Sequence, residues 1–283
     1  MRGMITKMIQ LFSKDDSQPM VDRVGEDFFK RQQISRHVCM PVGDSGYFLA
    51  FNWRNIRNLK EHEQRITLYC DNQDLLFMGD CAAGAQILRG FDPDTKPFVA
   101  LADFFFELTD NDIDVMEGIE REINEMEVDL LTENKPGKGA LKNIVSLRRD
   151  LMKLKRYYEQ LGIVVDRLVE NDNQSIAESI HNRYRTLDKY IQYLLHFVLE
   201  LREFLTQVRE AYQSQIDIEQ NQIMKIFTVI TAIFLPLTLI VGWYGMNFRI
   251  PELDWTYGYL YVIGLSVVVC LITYQIIKRN HWF

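Results

Sequence analysis

Met224, Thr228, Thr231, Leu235, Thr238, Gly242 and Gly245 follow one another at alternating steps of four and three, which places them on one face of a helix. That face collects every threonine and glycine of an otherwise apolar segment, and Met246 and Asn247 stand just beyond it. Followed toward the N-terminus, the same phase passes through Asn221, Asp217, Ser214, Glu210, Gln207, Glu203 and Glu200. Polar groups at bilayer depth face a bundle interior or a water-filled cavity, and a period of 3.5 keeps one face inward as helices supercoil to the left. One helix encloses nothing, so a pore on this face requires several subunits. A tight helix–helix seam is the alternative, since threonine and glycine also mark close packing in membranes. The carboxylates and amides that continue the face favour the pore, because a dry seam would have to bury them. Each threonine hydroxyl is also able to bond its own helix backbone.

The element that must carry this face is long. No proline occurs between Asn171 and Pro236, and no glycine before Gly242, so a single helix is expected from the polar break at 171–175 into the apolar segment. A second seam on that helix is apolar: Ile180, Tyr184, Leu187, Ile191, Leu194, Val198, Leu201, Leu205, Val208 and Tyr212, again at steps of three and four. Two charge-poor segments follow, 226–248 and 255–277. Each is long enough, at roughly 35 Å as a helix, to cross a bilayer. The six residues between them, 249–254, hold no domain and join antiparallel helices on one side of the membrane. Lys225 opens the first span and Lys278 and Arg279 close the second, an asymmetry that places both ends in the cytosol. Trp243, Tyr244, Trp255, Tyr257, Tyr259 and Tyr261 cluster around the turn, where amphipathic rings settle at the headgroups.

Composition narrows the function. A net charge of −7 argues against a nucleic-acid partner. Cys39, Cys70, Cys81 and Cys270 are scattered without a CxxC pair, which suits a reducing compartment and no thiolate metal site. The N-terminus has no sustained apolar run before Lys14, so no cleaved signal is expected. There is no Walker-type loop, no HExxH and no catalytic constellation, so neither a nucleotide partner nor an enzyme is expected, and no catalytic cofactor. His37, His62, His181, His196 and His281 are too dispersed to mark a zinc centre.

Upstream, 46–51, 65–70 and 74–78 have the character of strands, with a turn at Asp71 and Asn72. Beyond Pro97 the pattern becomes helical. Residues 103–133 hold twelve acidic residues against one basic, Arg121, with Ile119, Ile123, Met126 and Leu130 at helical spacing. After a break at 135–139 the charge inverts, with Lys142, Arg148, Arg149, Lys153, Lys155 and Arg156. An acidic helix folded back on a basic one, each partly neutralising the other, is the expectation; two separately solvated faces are the alternative.

The residues at the outer end of the first span resemble the CorA family of magnesium channels, whose mark is Gly-Met-Asn, here Gly245, Met246 and Asn247 between Tyr244 and Phe248. The likeness extends to Met224 and Lys225, to Pro236, Leu237 and Thr238, to Pro251, Glu252 and Leu253, and to Tyr257 and Gly258. A basic aromatic tail of Lys278, Arg279, His281 and Trp282 completes it, with a fainter likeness at Leu147 to Leu151. The resemblance implies a membrane α-helical protein with a cytosolic α/β domain: a homopentameric funnel in the lipid of the inner (plasma) membrane. Its parts are an α/β domain at 1–100, a helical hairpin at 101–175, a stalk helix at 176–225, a pore-lining span at 226–248, an outer loop at 249–254, a second span at 255–277 and a tail at 278–283.

The function implied is passive uptake of Mg²⁺, with Co²⁺ or Ni²⁺ also able to pass, driven by membrane potential and gated by internal Mg²⁺. Gly245, Met246 and Asn247 form the filter, where Asn247 holds the hydrated ion through its water. Mg²⁺ gives up water reluctantly, so a ring of amide dipoles admits it without stripping it. Gly242, Thr238, Thr231, Thr228, Asn221 and Asp217 line the path, with Leu235 and Met224 as apolar constrictions that gate by dewetting. Glu252 and Asp254 attract cations to the mouth and Glu210 to the inner end. The positions of regulatory sites stay open. A zinc transporter of the same superfamily and a non-conducting coiled-coil tether remain as alternatives.

Overall fold

The computed structural model describes residues 8–33, 35, 37–132, 139–246 and 255–279. Contacts divide the chain into two units, Met1–Arg209 and Glu210–Phe283. The expected filter residue Asn247, the loop residues Glu252 and Asp254, and the tail residues His281 and Trp282 lie outside the described residues.

The first unit is built on a five-stranded sheet: β1 (Ile9–Phe12), β2 (Val38–Val42), β3 (Gly46–Trp53), β4 (Gln64–Cys70) and β5 (Leu75–Met78), in the order β1-β5-β4-β3-β2. β1 runs parallel to β5 and the other pairs are antiparallel. The three strands expected from the sequence are the consecutive β3, β4 and β5. β1 and β2 were not among those expected; β2 contains Pro41, which an edge strand tolerates. The β4–β5 turn is made by Asp71, whose carboxylate accepts the backbone N–H groups of Gln73 and Asp74, each at 2.7 Å.

Side chains alternate between two apolar faces. On one face Tyr47, Phe51 and Phe77 meet Phe98, Phe105 and Phe104 of α4 (Pro97–Leu108), ring centroids 5.5–6.5 Å apart. On the other, Phe48, Ala50, Tyr69, Leu76 and Met78 pack with Met20 of α1 (Gln18–Val24) and Phe29 of α2 (Glu26–Gln33). A short helix, α3 (Ala82–Arg89), precedes α4.

Two longer helices follow, α5 (Asp112–Thr132) and α6 (Ala140–Glu170). Ile123 and Met126 of α5 are buried, as their spacing predicts, while Ile119 and Leu130 are only half-buried. The ion pairs of Lys153 and Lys155 run within α6, to Asp150 and Glu159, and not to α5. A buried hydrogen bond from Tyr158 of α6 to Asp112 of α5, at 2.7 Å, links the two helices. The polar break becomes a tight turn. Asn171 adopts a left-handed φ of 50°, and its amide spans the backbone N–H and C=O of Ile176 at 3.0 and 2.9 Å.

α7 (Glu178–Tyr244) is continuous, with Pro236 inside it. Its apolar seam is buried from Tyr184 through Leu187, Ile191, Leu194, Val198, Leu201, Leu205 and Val208, while Ile180 is only half-buried. Fully burying one such side chain contributes about 1.5–3 kcal/mol, so the seam dominates what holds this helix.

The second unit consists of the rest of α7 and α8 (Gly258–Arg279). Both are long and apolar enough to cross a membrane. Val229, Ala232, Ile233, Pro236, Leu237, Ile240 and Tyr244 form the less exposed stripe of α7, and Val262, Leu265, Ser266, Val269, Thr273 and Ile277 that of α8.

Candidate functional site

The stripe that carries the expected ion path lies away from that less exposed face. Asp217, Asn221, Met224, Thr228, Thr231, Leu235, Thr238, Gly242, Gly245 and Met246 are all exposed, and Glu210 with them. Met224 and Leu235 are 63% and 69% exposed, which rules out packing within the chain as the reason for their apolar character. Thr231, Leu235, Thr238, Gly242 and Met246 line one shallow groove along the helix. The geometry therefore gathers the expected residues on one unoccupied face. On it they alternate with large apolar side chains such as Phe234 and Leu239, suited to lipid or to a neighbouring helix.

The three threonines are alike in detail. Thr228, Thr231 and Thr238 donate their hydroxyl hydrogens to the carbonyls of Met224, Phe227 and Phe234, each at 2.8 Å and four residues back. The possibility of backbone bonding raised by the sequence is realised at all three, and it does not compete with a role toward an ion. A hydroxyl whose hydrogen is committed to its own helix presents only lone pairs outward. Such an oxygen accepts hydrogen bonds from the water shell of a cation and repels an anion.

The two glycines differ. At Gly245, where the helix ends, a Cβ would lie 2.8 Å from the Val241 carbonyl oxygen, so the backbone itself demands glycine. At Gly242 nothing within 4 Å would meet a Cβ. The chain's own packing does not require glycine there.

Below the span, the Gln213 amide donates to Asp217 at 3.2 Å, which holds that carboxylate along the helix surface. Glu210 and Asn221 are exposed without such a restraint. Among the described residues no group of three or more His, Cys, Asp or Glu side chains converges to hold a metal ion. At the start of α8, Trp255 contacts Tyr257 and Tyr261 edge-on and tilted at 6.2 and 6.4 Å, and Tyr259 is 84% exposed.

Groups outside this stripe escaped the reading of the sequence. Asp112 is buried among tyrosines, and Lys14, Asn52, Arg65 and Thr67 surround a cleft on the sheet. Nothing in their local sequence marks them, since their neighbours come from distant segments. Asp112 stands between Asp110 and Asp114 at a helix start, so its sequence did not single it out.

An N-terminal α/β body, a long helix and a pair of apolar helices with a polar stripe define a two-span membrane protein. The chain belongs to the CorA-like Mg²⁺ transporter family, whose model matches residues 85–279, and this is a family of transporters, not of enzymes. It is 29% identical over 184 residues to the cobalt/magnesium transport protein CorA of Thermotoga maritima, a match covering 65% of this chain and 50% of that protein. It is 30% identical over 186 residues to the magnesium transport protein CorA of Campylobacter jejuni, covering 64% and 56%. The chain thus spans about half the length of the relatives it matches. The fold is that of the complete CorA magnesium transporter from Methanocaldococcus jannaschii, with a TM-score of 0.74 at 21% identity over 91% of this chain and 87% of that one. The full-length CmaX protein gives 0.73 at 18% identity over 96% and 88%, and the cytoplasmic domain of ZntB from Vibrio parahaemolyticus 0.54 at 16% over 71% and 79%.

Proposed function

We propose that this chain is one subunit of a homo-oligomeric, pentameric channel that passes Mg²⁺ into the cell, with both termini in the cytosol and the spans in the inner membrane. The observation that carries this reading is the threonine stripe: three hydroxyls on one exposed face, each with its hydrogen turned back into the helix. Repeated around a central axis, they make successive rings of acceptors for the water of a hydrated cation, with Asn247 as the outer ring. Leu235 and Met224 interrupt the rings with apolar constrictions that close when they dewet. Glu252 and Asp254 concentrate cations outside, and Asp217 and Glu210 draw them away inside. A divalent ion entering an inside-negative cell gains roughly 4.6 kcal/mol per 100 mV, so transport needs no coupled reaction. Internal Mg²⁺ acts as a regulator by binding the closed state more tightly than the open one.

The test is Mg²⁺ influx into dye-loaded proteoliposomes at low internal Mg²⁺ under an inside-negative potential. Influx that is lost in Asn247→Ala, with the oligomer intact by size, is the expected result; equal influx from the variant would sink the proposal. The fold shared with the ZntB cytoplasmic domain, at a lower TM-score, keeps Zn²⁺ as a second cargo reading. Zn²⁺ flux that outcompetes Mg²⁺ in the same vesicles would favour it, and passage of Co²⁺ or Ni²⁺ is measured alongside.

A further inference from the structure

Arg148 of α6 and Arg202 and Arg209 of α7 line one small recess between the two helices, within the first unit. Thr206 lines it too, with Ile144 and Leu205, which are buried. Arg202 and Arg209 stand seven residues apart, about 10 Å along the helix, with Thr206 between them. Arg148 comes from the other helix, one turn on from Ile144. The cavity, about 210 Å³, is below the range of about 300–1,000 Å³ typical of sites for organic ligands, so its size suits a small ion.

The charges of this recess are unpaired. Elsewhere Arg23, Arg54, Arg167 and Arg183 each meet a carboxylate of the chain. The guanidinium groups of Arg148, Arg202 and Arg209 make no hydrogen bond or ion pair with any described residue, and no Asp or Glu is among the residues lining the recess. Glu203 and Glu210, next in sequence to Arg202 and Arg209, lie about 100° further round the helix, on the exposed stripe. In a chain of net charge −7, three neighbouring cations without an acid are a local reversal, and they repel one another until an anion joins them. Thr206 adds a chemical filter. Its hydroxyl donates to the Arg202 carbonyl at 2.9 Å, so its oxygen has only lone pairs left to offer.

We propose that this recess binds monohydrogen phosphate, held by the forks of Arg148, Arg202 and Arg209, with the hydrogen of the ion donated to the Thr206 oxygen. A guanidinium group matches the oxygens of a phosphate two at a time. The dianion offsets two of the three positive charges, whereas a carboxylate from another copy of the chain offsets one and brings Thr206 no hydrogen. Sulfate has the charge and the shape but no hydrogen at neutral pH, so the Thr206 oxygen repels it. The phosphodiester of a lipid lacks that hydrogen as well. The bound ion ties α6 to α7 at the last turn that α7 shares with the first unit, in place of the repulsion that the arginines exert alone. All of its ligands come from one subunit, so the site does not depend on the pore.

Isothermal titration of the full chain in nonionic detergent and mildly alkaline, metal-free buffer tests this directly. Sodium phosphate is the probe, and sodium sulfate at equal ionic strength is the control. Phosphate is expected to bind once per chain and at least about tenfold more tightly than sulfate, the difference that one hydrogen bond to a charged group makes. Arg148→Gln and Arg209→Gln, at exposed side chains, are each expected to lose at least about tenfold in phosphate affinity. Their thermal midpoints without phosphate should equal or exceed the parent's, because repulsion is relieved. Thr206→Val keeps the shape of the side chain and is expected to close the gap between phosphate and sulfate. No binding of phosphate, equal binding of sulfate by the parent, or unaffected arginine variants would each overturn the proposal. Arginine variants that fall apart as oligomers, beside a parent that binds no phosphate, would assign the cluster to carboxylates of a neighbouring subunit instead.

Discussion

Tyr158 of α6 donates its phenolic hydrogen to the carboxylate of Asp112, the first residue of α5, at 2.7 Å, and both side chains are buried. Burial pushes the Asp112 carboxyl up to about 7 against the pull of the Tyr158 hydrogen bond, with Asp110 raising it further and Arg57 lowering it. Tyr157 and Tyr190 complete the surroundings, and burial raises both phenols. The folded chain therefore keeps a proton on Asp112 up to about pH 7, whereas an unfolded aspartate releases it near the ordinary 3.8. Across that window the folded state binds more protons, so this group's contribution to stability falls as pH rises from about 4 to about 7 and is flat above. Asp112→Asn keeps an acceptor for Tyr158 and removes the charge. It is expected to be more stable than the parent at pH 8, by an amount on the order of 1–4 kcal/mol, and nearly equal to it at pH 4. Thermal midpoints of both proteins at the two pH values check this; a difference independent of pH would exonerate the carboxyl.

Thr238→Val keeps the shape of the side chain and removes its outward lone pairs. Because an oligomer loses the hydroxyl from every subunit at once, influx of Mg²⁺ is expected to fall by at least about tenfold, given roughly 0.5–1.5 kcal/mol for each lost hydrogen bond. Thr238→Ser should restore it. Equal flux from all three proteins would remove the threonine ring from the mechanism.

Gly242→Ala separates fold from assembly. With open space around this position in the single chain, the substitution should leave the thermal midpoint of detergent-solubilised monomer unchanged while altering oligomer yield or flux. A lowered monomer midpoint would show that the glycine serves the chain's own helix.

Water access distinguishes a pore from a dry tether. Cys39, Cys70 and Cys81 are buried, and burial raises their thiols, so they resist thiolate-directed reagents. In a Cys270→Ser background, Thr238→Cys should then react with a charged, membrane-impermeant methanethiosulfonate, and Mg²⁺ flux should fall as it does. A thiol at this position that stays unmodified while the protein remains folded would favour a sealed bundle.

Leu194 and Glu203 sit on opposite faces of the same helix. Leu194→Ala deletes a fully buried side chain of the seam and should cost about 2–5 kcal/mol. Glu203→Ala, on the exposed stripe, should stay within about 0.5 kcal/mol. Comparable losses at both sites, in thermal or denaturant unfolding, would mean that the polar stripe is also packed.

The phase of α7 was legible because an α-helix is made of bonds between residues four apart, so its buried and exposed faces are written at a fixed local period. From Tyr184 to Val208 the seam falls where the spacing places it, and the Thr228–Thr231–Thr238 stripe lies on a separate, exposed face. The two apolar spans and the Gly-Met-Asn likeness are equally local, and the family match extends over them. The acidic and basic helices were legible as charge runs, but their ion pairs were not: Lys153 and Lys155 found partners within α6, where a carboxylate three or four residues away costs less ordering than one on another helix.

Tertiary structure alone decided the rest. The parallel pairing of β1 with β5, the row formed by Ala50, Thr67 and Met78, and the meeting of Asp112 with Tyr158 all join residues far apart in the chain. Their sequence neighbourhoods carry no periodic mark of the partner, because a strand's alternation says which side chains share a face and nothing about which strand lies beside it. The amino-acid sequence by itself thus determined the two apolar spans and the buried and exposed faces of α7. Which buried acid holds a proton, and which strands lie side by side, depended on long-range packing that no local pattern encodes.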